Sequence, residues 1–170
     1  MESKARLLGH PIHQMLIVFP LGLLGTSVVF DIIRLASGAS YAGTVAFAMI
    51  AAGLIGGLLA APFGTIDWLA IPSGTRAKTV GALHGGGNLL VMAIFAVSLW
   101  LRRDQIEQPP AAAWLLSLCG VALSGVTAWL GGELVDRLGV GVSPHAHLDA
   151  RSSLEGEAEP PSAKTQARSA

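Results

Sequence analysis

Three histidines and two carboxylates are the side chains best suited to hold a metal ion or a cofactor: His10, His13, Asp67, His84 and Glu133. Imidazole and carboxylate groups bind zinc, iron and copper, and imidazole also binds haem iron as an axial ligand. His10 and His13 are three residues apart, so they share one face of a helix. The other three are distant in sequence, and only the fold can bring them together.

Four apolar segments are the elements that must position these side chains. They cover approximately residues 14–36, 41–68, 79–101 and 111–130. Each is long enough to cross a hydrocarbon core of about 30 Å as a helix. The first segment is longer than the apolar region of a usual signal peptide, which predicts a retained helix. Pro11 fits its first turn with His10 as the cap, and Thr75 is the expected cap of the third helix.

This pattern predicts an all-α integral membrane protein, folded as a four-helix up-down-up-down transmembrane bundle. In that topology the five side chains all reach the membrane face that carries the chain termini. Ionisable side chains are costly near lipid, so their convergence at one depth indicates a binding site. On the opposite face, Asp31 and Arg34 are one turn apart and are predicted to form a local ion pair. We therefore expect nearly all the strongly polar side chains of the four spans at one level, on the terminal side.

The polar level has three interpretations. In the first, His13 and His84 hold one b-type haem as axial ligands, with room provided by the glycines around His84. In the second, a transition-metal ion is bound or transported by the full set of His10, His13, Asp67, His84 and Glu133. In the third, no cofactor is bound, and a hydrogen bond from His84 to Asp67 joins two helices. The two carboxylates then cap helix ends or pair with Arg76, Lys78 or Arg137.

Composition narrows the class of protein. Of 170 residues, 52% are hydrophobic and 13% are charged, whereas a soluble domain carries about 25% charged residues. The formal net charge is zero, so no basic surface favours nucleic acid as a partner. The single cysteine, Cys119, excludes an internal disulfide and a thiolate cluster. Without a nucleophile motif or a phosphate-binding loop, an electron-transfer or binding subunit is favoured over a stand-alone enzyme.

The chain divides into a four-helix transmembrane domain, residues 1–142, and a polar tail, residues 143–170, whose composition predicts disorder. Near the membrane, the terminal side carries five basic residues: Lys4, Arg6, Arg76, Lys78 and Arg137. The opposite side carries three: Arg34, Arg102 and Arg103. Because basic residues are enriched in cytoplasmic loops, both termini are expected in the cytoplasm. The lipid bilayer is the expected partner, and a homo-oligomer is left open.

The chain also carries a set of short motifs, at residues 9–13 (GHPIH), 71–77 (IPSGTRA), 83–84 (LH), 129–135 (WLGGELV) and 139–142 (GVGV). Together with Asp67 these motifs resemble a bacterial membrane family catalogued as domain of unknown function 2231. The resemblance covers approximately residues 7–142. It implies a four-helix protein of the bacterial inner membrane.

Two further properties of that family imply membrane redox function. Its members are sometimes joined to a Rieske-type iron–sulfur domain, and its fold is similar to that of two-haem membrane cytochromes. One cysteine cannot supply iron–sulfur ligands here, so a Rieske-type or other redox protein would be a separate partner. The cytochromes often use more histidines at two depths, so the single level in this chain implies one haem.

Overall fold

A computed structural model describes residues 1–155 of the chain. Residues 156–170, which form the larger part of the predicted disordered tail, lie outside the described residues. Residues 143–155 form turns and one short 3-10 helix, Ser153–Glu155. The division of the chain at residue 142 therefore stays a prediction.

Helices dominate the described chain: α1 (Ile12–Leu16), α2 (Val18–Ser37), α3 (Ser40–Ala70), α4 (Arg76–Arg102) and α5 (Ala111–Gly132). α5 continues into a π-helical turn, Glu133–Arg137. Four helical spans are long and apolar enough to cross a membrane: Ile12–Ser37, Ser40–Ala70, Arg76–Arg102 and Ala111–Arg137. The prediction of an all-α protein with four membrane-length helices is confirmed.

Local sequence explains where two of the helices end or begin. α2 ends at Gly38, whose φ of 71° lies in the left-handed region that glycine adopts without steric cost. α4 begins after Thr75, whose Oγ1 accepts a hydrogen bond from the Lys78 backbone N–H at 3.2 Å. The predicted cap at Thr75 is confirmed.

The predicted cap at His10 is wrong. His10 and Pro11 form a two-residue strand, β2, that pairs with β1 (Arg6–Leu7). The turn between them places Leu8 at φ 51° and Gly9 at φ 85°. This pairing holds the backbone extended through Pro11, which itself occupies the cap position, so α1 starts at Ile12.

The four spans form two helical hairpins, α1–α2 with α3 and α4 with α5. His13, at the start of the first hairpin, contacts Ala60 in the second half of α3. His84, near the start of α4, contacts Thr127 near the end of α5. The helices of each hairpin therefore run in opposite directions, while the orientation of the spans in a bilayer stays a prediction.

An apolar core lies midway along the bundle and consists of Leu24, Val28, Ile50, Val91 and Phe95. The outer surface is also apolar, with exposed side chains that include Leu21, Leu58, Leu89 and Val126. A surface this apolar is typical of contact with lipid. The middle of the bundle is therefore filled by apolar side chains, and its outer surface is apolar as well.

Polar side chains lie at both ends of this core. Asp31 lies 18 residues after His13, and Arg102 lies 18 residues after His84. Eighteen helical residues span about 27 Å, which is close to the hydrocarbon thickness of about 30 Å. The bundle thus carries one polar level at each end.

Candidate functional site

The ring of His13 is held against α3. Its Nδ1 lies 3.0 Å from the backbone oxygen of Ala60. The ring also rests on Gly64, where an added Cβ would lie 2.7 Å from His13 Cε1. Only a residue without a side chain permits this approach. A carbonyl and a glycine, four residues apart on one helix, therefore fix the position of the imidazole.

The ring of His84 is held in the same way against α5. Its Nδ1 lies 2.9 Å from the backbone oxygen of Thr127. An added Cβ at Gly131 would lie 3.0 Å from His84 Cε1. Thr127 and Gly131 are four residues apart, as are Ala60 and Gly64. The two hairpins thus repeat one arrangement, and we call His13 and His84 the histidine pair.

These contacts determine which ring nitrogen carries the proton. A backbone carbonyl oxygen can only accept a hydrogen bond, so Nδ1 is the donor in both rings. In the neutral imidazole, Nε2 then carries the lone pair. Histidines that bind metals commonly donate their other N–H to a backbone carbonyl in this way. Each ring of the histidine pair is therefore in the tautomer that can bind iron through Nε2.

The two Nε2 atoms differ in their other contacts. Asn88 donates from Nδ2 to His84 Nε2 at 3.2 Å, and its Oδ1 accepts from Thr127 Oγ1 at 2.9 Å. Within residues 1–155, His13 Nε2 takes part in no hydrogen bond. A ligand on His84 Nε2 would have to displace Asn88, whereas His13 Nε2 has no such competitor.

The histidine pair is half-buried. Side-chain packing around them is open. The first buried residue of α2 is Leu24, and α4 has none between Gly81 and Val91. An added Cβ at Gly85, next to His84, would meet no other atom within 4 Å. Close packing of buried side chains therefore stops short of the histidine level.

Asp67 holds the N-terminal segment rather than a histidine. Both of its carboxylate oxygens accept from Ser3 Oγ, at 2.8 and 2.7 Å. Its Oδ1 also accepts from the backbone N–H groups of Lys4, at 2.7 Å, and Ala5, at 3.3 Å. The expected hydrogen bond between His84 and Asp67 is therefore wrong, because the carboxylate is occupied by residues 3–5.

His10 and Glu133 also have separate partners. His10 Nε2 lies 3.3 Å from Ser153 Oγ on the surface. Glu133 accepts from Arg76 Nη2 at 2.6 Å, which confirms the alternative in which this carboxylate pairs with a basic residue. Within the part of the chain that the structure describes, no three His, Cys, Asp or Glu side chains are grouped closely enough to hold a metal ion. Within those residues the structure does not gather the five-residue set.

The opposite polar level is a buried cluster that the sequence did not predict. Arg102 donates from Nη1 and Nη2 to the two oxygens of Asp31, at 2.7 and 2.5 Å. It also donates to Ser98 Oγ at 3.2 Å and to Ser117 Oγ at 3.1 Å. The predicted ion pair between Asp31 and Arg34 is wrong, because a residue on another helix takes both carboxylate oxygens. We call Asp31, Arg34, Ser98, Arg102 and Ser117 the arginine cluster.

Sequence reasoning missed two kinds of functional residue. The carbonyls of Ala60 and Thr127 leave no sequence signal, since every residue has one. The arginine cluster had a signal in the equal spacing of 18 residues from His13 to Asp31 and from His84 to Arg102. That spacing places an acidic and a basic residue at the same depth on two different spans.

Comparison with known proteins gives one result. Searches of curated proteins and of solved structures each find no match to this chain. The family model described as a predicted membrane protein, domain of unknown function 2231, matches residues 9–144. That range contains all four spans and both histidines of the pair, and the chain belongs to this family of predicted membrane proteins.

Proposed function

We propose that this protein binds one b-type haem between His13 and His84 and serves as an electron carrier or as a subunit of a membrane redox complex. The observation that carries the proposal is the repeated arrangement of the two imidazoles. Each donates from Nδ1 to a backbone carbonyl of the partner helix in its own hairpin. Each therefore offers an Nε2 lone pair, and two such imidazoles are a common axial set for haem.

The residues of the chain have distinct roles in this proposal. The carbonyls of Ala60 and Thr127 orient the rings, and the lack of side chains at Gly64 and Gly131 lets the rings lie against the helices. Asn88 holds His84 Nε2 until a ligand replaces it. Bound haem would supply one-electron transfer.

The depth of the histidine pair supports exchange of electrons on the terminal side. The apolar core separates the pair from the arginine cluster, by about 27 Å of helix. A separate redox protein, of the Rieske type or another class, would accordingly dock on the face formed by the N-terminal segment and the α3–α4 loop. The same apolar core argues against a metal-transport path through the bundle.

The charge distribution supports a bacterial inner-membrane protein with both termini in the cytoplasm. Arg34 and Arg102 are buried and do not belong to a loop. Of the three basic residues on the opposite side, Arg103 is therefore the one that is exposed and can be counted as a loop residue. The terminal side keeps its five: Lys4, Arg6, Arg76, Lys78 and Arg137. The excess of basic residues on the terminal side is therefore larger than the sequence suggested.

The contacts of Asn88 favour a second candidate, a structural or partner-binding membrane protein without a cofactor. Asn88 satisfies His84 Nε2 and connects it to Thr127. In that case the polar network would serve to join α4 to α5. His84→Ala would then lower thermal stability, and the purified protein would carry no haem.

A visible spectrum separates the two candidates. Full-length protein is expressed with haem precursor, purified in detergent and measured as a reduced-minus-oxidised difference. We expect Soret and α bands with about one haem per chain, lost in His13→Ala and in His84→Ala. The matched control is His10→Ala, because His10 contacts Ser153 on the surface and not the pair. A flat spectrum from helical, monodisperse parent protein would contradict the haem proposal.

A further inference from the structure

The arginine cluster contains two guanidinium groups and one carboxylate. Asp31 is 2% exposed, Arg102 is 0% exposed and Arg34 is 9% exposed. Arg102 uses both oxygens of Asp31 and two serine hydroxyls, so its charge is paired and its donors are largely satisfied. The cluster as a whole carries one positive charge more than it carries negative ones.

Arg34 is the source of that excess charge. Within residues 1–155 its side chain forms neither a hydrogen bond nor an ion pair, and its Nε is buried without a partner. The acidic residues of the nearby α4–α5 loop do not neutralise it. Asp104 is exposed and pairs with Arg103, and Glu107 is exposed and forms no ion pair with any other residue that the structure describes.

An unpaired buried cation is unfavourable, since the loss of hydration of a charged group costs several kcal/mol. A bound anion would supply the missing hydrogen bonds and the missing charge. Arg34 lies four residues before Gly38, at the end of α2. It is therefore at the boundary between hydrocarbon and headgroups, where phosphate groups are concentrated. The guanidinium fork matches a phosphate group through two parallel hydrogen bonds.

We propose that Arg34 forms a phosphate-binding site at the end of the bundle opposite the histidine pair. Its ligand is a phosphate oxyanion, either the phosphodiester of a phospholipid in the adjacent leaflet or free inorganic phosphate. The site does not depend on haem, because it lies on the other side of the apolar core. Arg102 does not bind the ligand directly; its pairing with Asp31 leaves the Arg34 guanidinium as the available donor.

Native mass spectrometry of the full-length, detergent-purified protein tests the site. The probes are phosphatidylglycerol and, separately, inorganic phosphate. We expect the parent protein to retain one phosphatidylglycerol per chain and Arg34→Gln to bind it at least tenfold more weakly, since hydrogen bonds to a charged group contribute about 1.5–3 kcal/mol. The matched control is Arg103→Gln, which removes an exposed arginine near the same end and should bind as the parent does.

The inorganic phosphate arm distinguishes the two sources. If phosphate raises the melting temperature of the parent and displaces the lipid, the ligand is free phosphate. If only the lipid binds, the ligand is a headgroup. Arg34→Lys keeps the positive charge but loses the planar guanidinium group. It is the variant to use if Arg34→Gln does not fold, and we expect it to bind phosphatidylglycerol more weakly than the parent does. Equal binding by the parent and Arg34→Lys or Arg34→Gln, or no binding of either probe by the parent, would overturn the proposal.

Discussion

Arg102 and Asp31 form a two-pronged ion pair between the ends of α4 and α2, with N–O distances of 2.7 and 2.5 Å. Both side chains are almost fully withdrawn from solvent. The pair joins the two hairpins at the end of the bundle opposite the histidines. It is one contact that couples the two halves of the protein at this level.

Breaking this pair should be costly. We expect Asp31→Ala or Arg102→Ala to lower the free energy of unfolding by about 3–5 kcal/mol, because each leaves an unpaired charge in a buried site. Denaturant unfolding in detergent, followed by circular dichroism, measures the change. The double variant Asp31→Leu/Arg102→Met should recover much of the loss, since neither member of the pair is left behind without its partner. Arg103→Ala, at an exposed pair, should change stability by less than about 1 kcal/mol.

The contact of His84 with Gly131 should not tolerate a methyl group. Gly131→Ala would place a Cβ 3.0 Å from His84 Cε1, so the ring must shift, at a cost of about 1–3 kcal/mol. We expect a lower melting temperature and less haem per chain. Gly132→Ala is the neighbouring control, because a Cβ there would meet no atom within 4 Å. Equal haem content in the two variants would mean that the ring position does not govern binding.

The carboxylate of Asp67 should govern the order of the N-terminal segment. Asp67→Asn weakens the hydrogen bonds from Ser3 Oγ and from the N–H groups of Lys4 and Ala5. Charge-assisted bonds contribute about 1.5–3 kcal/mol, so we expect the amides of Lys4 and Ala5 to exchange hydrogen at least tenfold faster. Hydrogen-exchange mass spectrometry provides the measurement.

The same Asp67→Asn protein also tests the metal interpretation. If Asp67 binds only residues 3–5, the metal content of the purified protein should not change. A lower metal stoichiometry in Asp67→Asn would instead show that Asp67 is a metal ligand. Asp136→Asn is the control, since this exposed carboxylate lies beyond the end of α5. It should leave both amide exchange and metal content as they are in the parent.

Cysteine labelling in spheroplasts tests the orientation of the bundle. In a Cys119→Ser background, single cysteines replace Ser73 in the α3–α4 loop or Gln105 in the α4–α5 loop, both of which are exposed. We expect a membrane-impermeant maleimide to label Gln105→Cys in intact spheroplasts and Ser73→Cys only after lysis. The reverse pattern would place both termini outside the cytoplasm.

The sequence by itself determined the four spans and the depth of the ionisable residues. Hydropathy and helix length are local properties, and a rise of about 1.5 Å per residue converts position along a span into depth. The prediction that His13 and His84 lie on two spans at one polar level rests on this conversion. Thr75 was likewise found, because its hydroxyl bonds a backbone N–H three residues away.

Only the tertiary structure decided which side chains meet. Asp31 has a basic neighbour one turn away, yet it pairs with Arg102, which is 71 residues distant in sequence. Asp67 contacts the N-terminal segment instead of His84. The backbone carbonyls of Ala60 and Thr127 determine which ring nitrogen of His13 and of His84 carries the proton. Such partners depend on how the helices rotate and approach one another, and that is set by side-chain packing over the whole bundle. The depth of a residue along a helix can be calculated from its position in the sequence. Which neighbouring side chains it contacts depends on how the helices pack in the assembled fold.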